Sequence, residues 1–72
     1  MTRGRVKLFC DEEGWGALTS PEVPGEIWVH FSGIEMEGYR VLVEGQQVEF
    51  ECEHYPPGQD GYFYRAQGVR PL

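Results

Sequence analysis

Glycine and proline interrupt this chain so often that no segment of about ten residues keeps helical spacing. Ten glycines and five prolines are spread over 72 residues. Between them lie short runs that alternate polar and apolar side chains with the period of a strand. Arg5-Val6-Lys7-Leu8-Phe9 is the first, and Trp15-Gly16-Ala17-Leu18-Thr19 follows a polar turn. Glu26-Ile27-Trp28-Val29-His30-Phe31 is rich in β-branched and aromatic residues. Gln47 to Glu53 alternates cleanly, and Tyr62-Phe63-Tyr64-Arg65-Ala66 opens a last run that reaches Val69. Ser20-Pro21, Pro24-Gly25, Glu44-Gly45 and the stretch Pro56 to Gly61 supply the turns between them. The pattern predicts strands over 4–10, 15–20, 26–31, 46–53 and 62–70, with one helical turn at Ser32–Ile34. Strands this short must close on one another to hide their edges, so an all-β, five-stranded antiparallel barrel is expected. The chain holds no repeat, low-complexity tract or linker, and one domain is expected over residues 1–72.

Strand parity assigns faces. Val6, Leu18, Ile27, Val29, Val48 and Phe50 fall on one side and form the expected core. The opposite parity collects Lys7, Phe9, Trp15, Ala17, Trp28 and His30 on consecutive strands. Aromatic rings are more often core than surface, but the core side is already filled by aliphatics. An outward cluster of rings with a lysine and a histidine calls for a ligand or a partner.

Charge narrows the ligand. Six Lys and Arg stand against twelve Asp and Glu, a net −6 at pH 7. Such a chain does not coat nucleic acid by bulk positive charge, so any binding must work locally against the molecule's own field. No run approaches the roughly 18 apolar residues of a membrane span, and no charged-then-apolar leader opens the chain. A cytoplasmic protein without a membrane partner is expected.

Cys10 and Cys52 lack the number and spacing of a disulfide framework and read as reduced, buried free thiols. With His30 and His54 they make a nominal Cys2His2 set, but no two of them have ligand-pair spacing, so no metal and no cofactor are expected. Glu49, Glu51 and Glu53 share a strand face, which reads as a solvated surface rather than a cation site. No Ser or Cys stands in a recognisable nucleophile motif, and an enzyme is not expected.

Three segments then carry a resemblance: Gly4-Arg5-Val6-Lys7-Leu8-Phe9, Glu13-Gly14-Trp15-Gly16-Ala17-Leu18 and Ile27-Trp28-Val29-His30-Phe31-Ser32-Gly33-Ile34. With Glu37-Gly38-Tyr39-Arg40, Glu44 to Phe50 and Ala66 to Val69, they resemble the cold-shock domain over essentially the whole chain. The Gly-aromatic-Gly and aromatic-Val-His-Phe segments look like that family's two RNP-type motifs. The resemblance implies an OB barrel that binds single-stranded RNA or DNA on the face of its first three strands. It acts by stacking bases on rings while cations follow the phosphates. Carried over position by position, the binding set is Lys7, Phe9, Trp15, Trp28, His30, Phe31 and Tyr39. Arg65 joins it as a stacked or bidentate cation. An RNA chaperone or expression regulator is implied, and a monomer is expected.

The departures from the family pattern are specific. Leu8 stands where the family usually has Trp, Ala17 where it has a second Phe, Glu13 where it has Lys, and Cys10 where it has Asn or Asp. Stacking is worth about 1–3 kcal/mol per base, so two lost platforms cost roughly 2–6 kcal/mol. Weaker binding than the family norm is expected. The alternative is a protein-interaction module that kept the barrel and lost its nucleic-acid face. The connection from Tyr55 to Arg65 is longer and more aromatic than the family's. Its rings either edge the binding groove or cap the barrel end.

Overall fold

The computed structural model describes residues 1–36, 41–59 and 61–72, with side chains for all of these except 55–59. The strands are β1 (Thr2–Cys10), β2 (Trp15–Thr19), β3 (Ile27–His30), β4 (Gln47–Gln59) and β5 (Tyr62–Pro71). A single 3₁₀ turn, Phe31–Gly33, follows β3. The five strands close into a barrel in the order β1-β2-β3-β5-β4. The all-β barrel is thus the one the alternation predicts, with one correction of direction. β3 and β5 run parallel, pairing Ile27 with Tyr64 and Trp28 with Arg65, while the other pairings are antiparallel. Side-chain alternation has the same period in both ladders and carries no information on direction.

The core is the predicted one. Val6, Leu18, Ile27, Val29, Val48 and Phe50 are buried, joined by Ile34, Leu42, Ala66 and Val69. β4 extends beyond its predicted end because it continues to pair with β5 as a ribbon, Glu53 with Arg65, His54 with Tyr64 and Gln59 with Tyr62. The ladder between His54 and Gln59 is irregular, which is how it accommodates Pro56 and Pro57.

Local irregularity in β1 sets the outward face. Val6 pairs with Leu18 and Leu8 pairs with Ala17, so Lys7 is the extra residue of a bulge. Beyond it the alternation of β1 is shifted by one. Phe9 pairs with Gly16, which pairs with buried Val29, and Phe9 packs against the core. Phe9 therefore does not share the outward face with Lys7, as unbroken parity requires; Leu8 takes that place. Gly16 is the residue that lets this happen, since a Cβ there would lie 2.6 Å from Phe9 Cδ1 and 2.4 Å from the Leu8 carbonyl oxygen.

Cys10 and Cys52 are free and half-buried. Cys52 follows Phe50, which pairs with Thr2 at the start of β1, whereas Cys10 ends that strand. The register separates them along the barrel, so a bond between them is ruled out rather than merely unneeded.

Candidate nucleic-acid interface

Two rows of the sheet build the outward face. Cys10, Trp15 and His30 are register neighbours in one, and Leu8, Ala17, Trp28 and Arg65 in the other. Trp15, Trp28 and His30 are half-buried, and Phe31 is 46% exposed. The rings form a connected series. Trp28 and His30 stack with centroids 5.7 Å apart and planes 21° apart, and His30 meets Phe31 at 4.6 Å and 45°. Tyr39 lies outside the described residues.

His30 is held in one orientation. The backbone N–H of Ser32 donates to its Nδ1 at 3.3 Å, and the Ser32 hydroxyl stands 2.8 Å from the same nitrogen. Because a backbone amide only donates, Nδ1 is the acceptor. The neutral ring then carries its proton on Nε2, which serves as a donor. The turn that places Phe31 is fixed from the other side. Gly14, at φ +74°, accepts the Phe31 N–H at 2.8 Å, and a Cβ on Gly14 would come within 2.8 Å of Phe31 Cδ1.

Both cations that the sequence singles out for the face, Lys7 and Arg65, meet a carboxylate. Lys7 Nζ pairs with Glu26, whose proximity raises the lysine pKa above its ordinary value. Arg65 Nη2 donates to Glu53 Oε1 at 3.1 Å. With its amide oxygen turned toward the guanidinium, Gln67 also accepts from Arg65 Nε at 3.2 Å. Glu13, the charge reversal, accepts the Trp15 indole N–H at 2.7 Å. The sequence marks Glu13 only as an acid in place of the family's Lys; in the fold it also holds the Trp15 ring. Neither it nor Glu26 is legible from spacing, because the partners are set by the turn and by register across strands.

Two further features were not foreseen. Ala17 has the outward register but is fully buried between Leu8 and Trp28. Trp28 Nε1 is buried without a hydrogen-bond partner among the described residues. Trp28, His30, Ser32, Gly33, Arg65 and Gln67 line a shallow pocket at the β3–β5 seam. It mixes a ring surface with hydroxyl, imidazole, amide and guanidinium groups, a set suited to a flat, polar-edged ligand.

A family profile described as the 'Cold-shock' DNA-binding domain matches residues 2–69. The chain belongs to the cold-shock domain family. Among its relatives, a cold shock-like protein of Thermotoga maritima is 48% identical over 56 residues, 78% of this chain and 83% of the relative. The cold shock-like protein CspA of Stigmatella aurantiaca is 40% identical over 72 residues, covering 100% of this chain and 98% of its own. The probable cold shock protein A of Mycobacterium tuberculosis is 39% identical over 72 residues, with both chains covered in full. Within the cold-shock fold, the structure brings together Trp15, Trp28, His30, Phe31, Lys7 and Arg65 on or beside one face, and sets Phe9 beneath it. No helix among the described residues is long and apolar enough to cross a membrane.

Proposed function

We propose that this cold-shock domain binds single-stranded RNA or DNA by stacking bases on Trp28, His30, Phe31 and Trp15. The observation that carries the reading is the connected ring series on the outward face, Trp28 to His30 to Phe31, with His30 fixed by Ser32. Lys7 and Arg65 meet phosphates by exchanging Glu26 and Glu53 for them. Tyr39 adds a ring by its place in the family motif, and Phe9 supports the face from the core side. The protein acts by binding, without catalysis, as an RNA chaperone or expression regulator, a cytoplasmic monomer.

Both tryptophans belong to this face, so stacking should quench their fluorescence. Titration with oligo-dT and oligo-U at low salt tests the reading. Saturable quenching is the expected result. An unchanged spectrum with both strands would sink it and give first place to a protein partner.

A further inference from the structure

Tyr62 opens β5, two strands away from Trp15 in the barrel order β2-β3-β5. Neighbouring strands lie about 4.8 Å apart, so backbones two strands apart stand roughly 10 Å from each other. The Trp15 and Tyr62 centroids are nevertheless 6.3 Å apart, with planes at 63°. Tyr62 stands two residues before Tyr64, the partner of Ile27, whereas Trp15 pairs with His30 at the other end of β3, so this ring contact requires the hairpin end to fold over the outward face. Tyr62 also shares a cleft with Glu26, the carboxylate that pairs with Lys7 of β1. The hairpin end thus arches toward the Lys7 side of the face, and Gly25, Glu26, Gly61, Tyr62, Phe63 and Tyr64 line the cleft beneath it. Phe63 stands in the wall, 54% exposed.

An edge-to-face pair leaves one ring's two faces clear of the other, so the Trp15–Tyr62 pair retains a flat surface for a third ring. It stands where the face is poorest in rings of its own, beside Leu8 and fully buried Ala17. We infer that Tyr62 is an additional binding ring of the interface, holding one base of a single strand beside Trp15 at the Lys7 end of the face. This rests on the nucleic-acid reading above and extends the strand's path from the sheet onto the β4–β5 hairpin. Bound there, the base stacks against Tyr62 or Trp15 while its phosphate competes with Glu26 for Lys7.

The test compares the unaltered protein with Tyr62→Ala, Tyr62→Leu and Tyr62→Phe, titrated by tryptophan fluorescence against oligo-dT of graded length at one low salt concentration. Tyr62→Ala and Tyr62→Leu should bind long strands about 5- to 150-fold more weakly, the equivalent of one stacked base. Tyr62→Phe should bind like the unaltered protein. The deficit should vanish for strands too short to reach the hairpin, which a merely structural role of the ring would not produce. Leu keeps apolar bulk without a π face, so it serves where Ala perturbs the hairpin. Equal affinity of Tyr62→Leu and the unaltered protein at every length overturns this inference alone. Tighter binding by either variant also overturns it, since the hairpin end is then a cover. Absence of quenching in the unaltered protein overturns the nucleic-acid reading and this inference with it.

Discussion

At the scale of single residues, the small Ala17 and the large Trp28 are fitted to one another. Ala17 leaves no exposed surface, and the large Trp28 is its register neighbour. A phenyl ring at 17 has no room unless its neighbour shrinks, so Ala17→Phe alone should lose about 1–3 kcal/mol by overpacking. Combined with Trp28→Phe it should recover most of that loss, a coupling readable as a double-mutant cycle in urea unfolding. Trp28→Phe also deletes an indole N–H that is buried without a partner among the described residues, a group that costs about 1–3 kcal/mol to leave unpaired. Lys7 is a second case. Glu26 raises its pKa, so the pair is intact at neutral pH and its contribution is lost only as pH rises through that raised value. Glu26→Gln should barely change stability, because the pair is exposed and screened by solvent. It should tighten oligo-dT binding, because phosphate no longer displaces a carboxylate, whereas Lys7→Ala should flatten the slope of log affinity against log salt by about 0.7, one lost phosphate contact. A slope that stays the same would show that Lys7 does not reach phosphate.

Elements place what residues alone cannot. The turn between β1 and β2 ends at Gly14, whose positive φ and contact with Phe31 tie two separate connections together. Gly14→Ala should cost about 1–2 kcal/mol from the left-handed backbone alone. It should further displace the Phe31 ring, so binding should fall along with the denaturation midpoint. The contrast between elements explains how much of the molecule is legible in its sequence. Strand parity identifies Val6, Leu18, Ile27, Val29, Val48 and Phe50 as core because each keeps the inward alternation of its own strand. It misplaces Phe9 because a bulge inserts one residue, Lys7, and the pattern on either side of a bulge looks the same. It ends β4 too early because Pro56 and Pro57 read as loop, although an irregular ribbon admits them. Of the candidate site, Trp15, Trp28, His30 and Phe31 are legible from motif and parity. The partners Glu26, Glu53 and Tyr62 are not, since each meets its partner across strands whose register only the fold fixes.

For the whole molecule, the acidic balance of −6 is not spread evenly in its effect. Carboxylates stand on both cations of the face, so the approach of a phosphate is an exchange of one anion for another. The closure of the barrel has a separate consequence. Where β3 meets β5 the ladder is two pairs long, Ile27 with Tyr64 and Trp28 with Arg65, with one isolated bridge from Ile34 to Val69 farther on. Among the ladders of this barrel, so short a seam joins strands that come from distant parts of the chain, and it is where local opening is cheapest. The proposed ligand spans that seam, with Trp28 on one bank and Arg65 on the other. An oligonucleotide should therefore act as a clasp, slowing amide hydrogen exchange at 27–28 and 64–65 far more than in the β1–β2 ladder. Uniform protection of both ladders would mean that the strand rests on the sheet without fastening it, and that the barrel breathes as freely when loaded as when empty.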